Sequence, residues 1–455
     1  MAEPRRVERL TASDLFMLVW DDYGWPNQIG GLAILDGTGL LDRDGHLRIE
    51  AVRGHIEPRL AAVTRFRQLL CRPRRGLGWP LWVDAPCFDL ADHIGVHPLT
   101  APAQLLQACE ELARRRLDPA RPLWELWLLP GLLERRVGAF IKVHHVVADG
   151  PAGVAAFGAA GPWRRGARPG RSAVDADTDP LGQGAAGRQP APAPAGTRSR
   201  VVGPNPSGPG RCAGPERPGR RGGRFSPSSA PPGPASTDRS APTGGLRQLL
   251  ARRGEDVQGL VLRAMVPISL HQEQAGQAHG NQPGWMMVPL PLGEPDPVRR
   301  LALIAAETAA RKHKPRPEAG TGIFRFVAGQ RVWYRLFPRQ RSVNLVVSNA
   351  PGPPVPLYLA GARLLELFPM MPTMGNLTLV VAVVSLDGQL NLTAVADRDG
   401  CPDVEVFTQG VRSALDGLAA ADGLVTVATG ATSTTLAGAA GPARERSSHV
   451  GSAQS

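Results

Sequence analysis

The feature that most constrains this chain is a break in its own pattern. Residues 161–245 show no apolar periodicity, while the stretches on both sides alternate between helix-like and strand-like spacing. A segment of that kind cannot bury enough apolar surface to offset the entropy of ordering it. The chain therefore reads as two packed parts around an unpacked insert. Residues 1–160 form the first part, 161–245 a low-complexity and disordered segment, and 246–425 the second part. Residues 426–455 read as a flexible tail rich in Ala, Gly, Ser and Thr. The full 455 residues suffice for two domains with separate cores.

The insert also accounts for most of the charge. The formal net charge is +12, yet residues 161–245 alone carry thirteen arginines, no lysine and five acidic residues, a net +8. The basicity belongs to one odd segment and not to a folded face, so no nucleic-acid partner is expected. Its run "RPGRRGGRF" keeps a basic, anionic-surface binder as the lowest-ranked reading. The five cysteines are scattered and form no CxxC pair, which predicts neither a disulfide framework nor a zinc site. No apolar run reaches the roughly 18–20 residues of a membrane helix. The first residues, "MAEPRRVERL", lack the apolar core of a signal peptide. These features predict a cytoplasmic protein, or one peripheral at the inner face of the membrane.

Both parts mix helices with strands. "RLTASDLFMLVWDD" reads as a helix capped by Thr11 or Ser13, and "QIGGLAILDG" as a strand ending in a glycine turn. "AVRGHIEPRLAAVTRFRQLL" and residues 102–118 have helical period. "LWELWLLPGLL" and "RVGAFIKVHHVV" read as two strands joined near Glu134 to Arg136. In the second part, a helix precedes a strand at Leu260 to Leu270, and Asp296 stands near the start of a long helix. Two alternating apolar runs around Asp387–Gly388 predict a hairpin, and a helix closes the part. The pattern is α+β in two mixed-sheet domains.

One strand ends in "IKVHHVVADGPAG", residues 141–153. A neutral imidazole can take a proton from an attacking alcohol and return it to a leaving group, which makes His145 a candidate general base. Asp149 would fix the turn that aims the ring, and Gly150 would let the chain bend tightly. A metal would need a further ligand nearby, and none is present in the sequence around the pair. An ordinary strand end with exposed histidines also fits, and the residues alone leave both readings open.

Wider blocks narrow the choice. "LDPARPLWELWLL" followed by "VHHVVADG" resembles the bacterial wax ester synthase/acyl-CoA:diacylglycerol acyltransferase family, within the chloramphenicol-acetyltransferase-like, CoA-dependent acyltransferases. "NLVVSNAPGPPVPLYLAGARLLELFP" and "LTAVADRDGCPDV" resemble its second domain, and the similarity spans about 8–157 and 246–420. The resemblance implies two domains enclosing an active-site tunnel. It implies transfer of a long-chain acyl group from acyl-CoA, used as co-substrate without a cofactor, to diacylglycerol or a long-chain alcohol. A peripheral contact with a membrane or lipid droplet would suit such substrates. Residue by residue, His145 matches the general base, His144 its supporting neighbour, and Asp149 and Gly150 the rest of the motif. Pro122, Leu123 and Trp124 match a motif that shapes the acyl or alcohol pocket. Asn349, with Pro351 and Gly352, matches a second-domain loop near the domain interface.

One departure stands out. The family carries an Asn-Asp pair before the stretch corresponding to "GGLRQLLARRGED", and this sequence contains no Asn-Asp pair. Residues 161–245 occupy its place. Two compensating shifts of reading frame would produce such a segment, and a catalytically impaired relative is the alternative functional reading.

Overall fold

The computed structural model describes residues 7–60, 63–73, 78–147, 163–165, 234–269, 283–312, 327–352, 355–387 and 389–421. Along the first half run β1 (Val7–Arg9), α1 (Ala12–Val19), β2 (Gln28–Asp36), α2 (Ile49–Leu60), β3 (Gln68–Cys71), β4 (Leu81–Asp84), β5 (Ile94–Val96), α3 (Leu105–Arg114), β6 (Trp124–Pro130) and β7 (Arg136–His144). The second half supplies β8 (Trp163–Arg165), α4 (Pro234–Arg252), β9 (Val261–Ser269), β10 (Pro283–Pro291), α5 (Pro297–Lys312), α6 (Val327–Leu336), β11 (Leu345–Pro351), β12 (Leu357–Leu359), β13 (Ala362–Met370), β14 (Leu379–Leu386), β15 (Gln389–Ala396) and α7 (Val404–Ala421). No helix among the described residues is long and apolar enough to cross a membrane.

The strands form a seven-stranded sheet ordered β5-β6-β7-β2-β13-β12-β8 and a five-stranded sheet ordered β10-β9-β11-β14-β15. A small sheet, β1-β4-β3, flanks them. Both larger sheets mix parallel and antiparallel pairs, as the α+β pattern predicts. The stretch "SNAPGPPVPLYLAGARLLELFP" feeds both sheets: β11 lies in the five-stranded one, while β12 and β13 complete the seven-stranded one. Residues late in the chain thus finish the sheet that carries the histidines. Division by sequence and division by sheet are different divisions.

Local rules explain several elements. Thr11 opens α1 through a capping box, its hydroxyl accepting from the Asp14 N–H at 3.0 Å while the Asp14 carboxylate accepts from the Thr11 N–H at 3.3 Å. Asp296 caps α5 by accepting from the Val298 N–H at 2.8 Å. The β6–β7 connection uses left-handed backbone at Glu134 and Arg135, and the β14–β15 hairpin uses it at Asp387. At the centre of the large sheet, Gly30 and Gly31 let β2 approach both neighbours. A Cβ on Gly30 would stand 2.1 Å from the Ile141 carbonyl oxygen, and one on Gly31 2.9 Å from that of Phe368.

Two expectations need correction. The long helical reading of residues 51–70 stops at Leu60, and Gln68–Cys71 is strand β3. Gln68 and Leu70 turn inward there, with Leu70 joining the cluster around the fully buried Trp82, and burial overrides helical spacing. The low-complexity segment is also not wholly without structure. Trp163–Arg165 pairs with β12, and α4 begins at Pro234, well before residue 246. The small residues that made "ASTDRSAPTGG" look unstructured let α4 lie very close to α7. Gly244 faces Ala414, and Gly245 faces the Phe407 carbonyl and Gly410, with no room for a Cβ at either glycine. Residues 166–233 and 422–455 lie outside the described residues.

Gly30→Ala tests the close approach in the central sheet. The overlap with the Ile141 carbonyl should lower unfolding free energy by about 1–3 kcal/mol in a denaturant titration. An unchanged midpoint would mean that the strands are not held at this spacing.

Candidate active site

The paired strands β2 and β7 set the site. Their antiparallel register runs from Asp36↔Arg136 to Gln28↔His144, so the first histidine falls on the last pair of the ladder. β6 lies on the other side of β7, and the Leu123 carbonyl accepts from the His144 N–H at 2.9 Å. His144 is therefore fixed through its backbone from the β6 side. The chain turns immediately after it, closed by the Val147 N–H donating to the His144 carbonyl at 2.9 Å.

The His144 ring is 4% exposed, and both of its nitrogens are occupied. The Val146 N–H donates to Nδ1 at 3.1 Å. Nδ1 must therefore present its lone pair, and the ring proton of the neutral imidazole sits on Nε2. Nε2 donates to the Asp21 carboxylate Oδ2 at 3.0 Å. The other carboxylate oxygen, Oδ1, accepts from the Asn27 N–H at 3.0 Å. Asn27 is wholly buried, and its side-chain Nδ2 donates to the Met17 carbonyl at 3.0 Å. Its own carbonyl accepts from the His145 N–H at 2.8 Å. One carboxylate thus holds the ring of His144 directly and the backbone of His145 through one intermediate residue.

The electrostatics agree with an ionised Asp21. Burial raises its pKa, but the hydrogen bond from His144, the Asn27 N–H and the Arg116 guanidinium outweigh burial and hold the carboxyl below its usual value of 3.8. Sequence analysis did not single out Asp21 or Asn27. The signal was a polar "DDYGWPN" between a buried helix and a buried strand, where an uncovered polar group needs a partner. Gly24, in left-handed backbone at φ 81°, closes that turn.

The structure brings Pro122, Leu123, His144 and His145 together. Pro122 is buried, and its carbonyl accepts from the Trp124 N–H at 2.8 Å. The Leu123 side chain joins an apolar cluster with Val146, Phe16 and Trp20. Trp124 points the other way, into the core behind the sheet. Its Nε1–H donates to the Phe66 carbonyl at 2.9 Å, and its ring stacks on His93 at a centroid distance of 4.6 Å. Asn349 is half-buried near the end of β11 and paired with Val383 in the five-stranded sheet. Pro351 and Gly352 follow it, and a Cβ on Gly352 would sit 2.1 Å from the Ser385 carbonyl, which makes that turn a close-packing feature. Asp149 and Gly150 lie outside the described residues.

The apolar cluster beside the histidines draws on both halves of the chain. Phe16, Leu123 and Val146 come from the first, and Tyr334, Val346 and Val380 from the second. Half-buried Val147, Met265, Trp285 and Met287 pack against it. The side of β7 that faces α3 carries a buried ammonium. Lys142 Nζ donates to the carbonyls of Leu112 at 2.9 Å and Arg115 at 2.6 Å, and lies 3.4 Å from Glu125 Oε2. Burial pushes its pKa down while Glu125 pulls it back up. The lysine ties the end of α3 to the strand that carries His144.

Because the folded pKa of Asp21 is lowered, the stabilisation it supplies is complete above the usual carboxylate range and is lost as pH falls through the folded value. Asp21→Asn should therefore flatten the acid limb of the stability–pH curve, read from unfolding midpoints between neutral and strongly acidic pH. A variant with the wild-type acid dependence would mean that Asp21 is not engaged as described.

Residues 10–194 match the wax ester synthase/diacylglycerol acyltransferase catalytic domain, and residues 279–419 match the C-terminal domain of the same family. A Mycobacterium tuberculosis protein named "Probable diacyglycerol O-acyltransferase tgs1" is 29% identical over 440 residues, covering 86% of this chain and 91% of its own. The structure of the wax ester synthase/diacylglycerol acyltransferase from Marinobacter aquaeolei superposes with a TM-score of 0.61 at 19% identity, covering 92% of this chain and all of that one. A variant of the starter condensation domain of rhizomide synthetase in complex with C8-CoA reaches 0.50 at 13% identity, over 91% of this chain and 95% of its own. The chain belongs to the wax ester synthase/diacylglycerol acyltransferase family of acyltransferases.

Proposed function

We propose that this protein transfers a long-chain acyl group from acyl-CoA to the hydroxyl of diacylglycerol, a long-chain alcohol, or both, with His145 as general base. The observation that carries the reading is the full engagement of His144. With Nδ1 accepting from Val146 and Nε2 donating to Asp21, that ring has no nitrogen left for chemistry. The neighbouring His145, half-buried and held at its N–H by the Asn27 carbonyl, is the ring to which this reading gives the proton transfer.

In the proposed reaction, a ring nitrogen of His145 takes the hydroxyl proton as the oxygen attacks the thioester carbonyl. The tetrahedral intermediate then collapses, the C–S bond breaks, and the imidazolium returns the proton to the CoA thiolate. No cofactor enters these steps. Asp149 and Gly150 would shape the turn that aims the ring. The half-buried band of Val147, Met265, Trp285 and Met287 offers an apolar bed for an acyl chain beside the histidines, with Pro122 and Leu123 at its edge. Trp124 would act on that edge from behind, by holding the strand. Asn349 would belong to the second-domain wall.

A second reading has one observation in its favour. Residues 161–245 occupy the place where the family carries its Asn-Asp pair, and they contain no such pair. A chain that kept the fold and the histidines but lost acceptor positioning would be an impaired relative.

One assay separates the two. Purified protein is supplied with palmitoyl-CoA and either diacylglycerol or hexadecanol, with His145→Ala beside it. Active wild type and a variant weaker by about 10²–10⁴-fold are expected if His145 is the base. Ester formation by the variant at the wild-type rate overturns that role. A folded wild type that makes no ester supports the impaired relative.

A further inference from the structure

Helix α6 has two faces of different character. Its inner face carries Gln330, Trp333 and Tyr334, and Phe337 continues it one turn on. The Tyr334 hydroxyl donates to the Phe16 carbonyl at 2.6 Å, and the Gln330 side chain donates to the Ala12 carbonyl at 3.1 Å. Trp333 packs on Phe16 at a centroid distance of 5.4 Å. Residues 330, 333, 334 and 337 follow the spacing of one helix face.

Among the described residues, the outer face exposes apolar and arginine side chains. Val332 and Leu336, one turn apart, are 56% and 60% exposed. Arg331, Arg335 and Arg339 run beside them at successive turns, and Arg341 follows, all exposed. The sequence contains no Asp or Glu between residues 319 and 365. Elsewhere Arg65, Arg72 and Arg121 are paired with Glu8, Asp22 and Asp92. Among the described residues, none of these four arginines forms an ion pair with a carboxylate.

We propose that this face of α6 docks the protein on a lipid surface carrying anionic headgroups. Arginine stems can lie along the apolar layer while their guanidinium groups reach the headgroup phosphates, and Val332 and Leu336 enter the layer between them. Half-buried Tyr23 and Trp25 stand at the rim, packed on Tyr334 and Phe337, where amphipathic rings suit an interface. A phosphate backbone of nucleic acid would use the arginines but gain nothing from Val332 and Leu336, and the large rings of α6 face inward. A protein partner would need an acidic groove, whereas an anionic lipid surface supplies charge and apolar depth together.

The docking does not depend on the acyl-transfer reading. If that reading holds, it brings the lipid acceptor to the right place. The Tyr23 hydroxyl donates to the Arg331 carbonyl at 3.1 Å, and Tyr23 belongs to the same turn as Asp21, which holds His144. Two contacts separate the docking helix from the histidine pair.

The test is vesicle co-sedimentation of the full chain. Vesicles of phosphatidylcholine mixed with phosphatidylglycerol are compared with vesicles of phosphatidylcholine alone. Wild type should sediment with the anionic vesicles, and less so as salt rises. Arg335→Glu with Arg339→Glu, and separately Val332→Ser with Leu336→Ser, should each weaken binding by about 10-fold or more, with unfolding midpoints unchanged because the side chains are exposed. Wild-type binding by either double variant overturns the proposal and assigns attachment elsewhere, the arginine-rich 161–245 first. Wild type that ignores anionic vesicles overturns it as well, as does binding of duplex DNA that the same variants abolish while vesicle binding persists. Acyl transfer is not read in any of these arms, so the result is independent of the proposed reaction.

Discussion

The site depends on one carboxylate with two occupied oxygens. Asp21 accepts the ring N–H of His144 on one and the backbone N–H of Asn27 on the other, and Asn27 holds the backbone of His145. The arrangement converts two adjacent histidines, chemically alike in sequence, into unlike groups. His144 becomes a fixed post with its tautomer set by its neighbours. His145, one residue on, is held at its main chain by the Asn27 carbonyl. Buried polar groups in low dielectric bind strongly when every partner is present, and cost much when one is missing. That asymmetry explains why the short polar turn between α1 and β2 matters as much as the histidine motif itself.

The surrounding fold serves to present that network. β2 can sit between β7 and β13 only because Gly30 and Gly31 have no side chains at the points of closest approach. The register this allows places His144 at the end of the ladder, opposite Gln28, where the chain is about to turn. β13 arrives from late in the sequence and binds the second half of the chain to the histidine-bearing sheet. The apolar cluster by the histidines is then built from both halves, so neither half encloses it alone.

Much of this was legible in the sequence, and most of what was not lies in pairs far apart along the chain. Strand β7, the turn at Glu134 and the β14–β15 hairpin follow from local periodicity and turn chemistry, which act within a few residues. The His144–Asp21 bond spans 123 positions, and the Tyr334–Phe16 bond spans 318. Nothing local announces such pairs. Trp124 shows the same limit: the partners of its ring, His93 and the Phe66 carbonyl behind the sheet, stand 31 and 58 positions away. The part of helix α4 before residue 246 was hidden for a different reason. Its glycines and small polar residues look like linker composition, and only the closeness of α7 shows what they permit.

The most direct test of the central claim is the tautomer of His144, read by nitrogen NMR on histidine-labelled protein with the resonance assigned by its loss in His144→Gln. The account predicts, at neutral pH, a proton on Nε2 and a bare, hydrogen-bonded Nδ1, with the Nε2 signal shifting in Asp21→Asn. A proton on Nδ1, or a His144 signal indifferent to the Asp21 change, would contradict it and return the two histidines to equal standing.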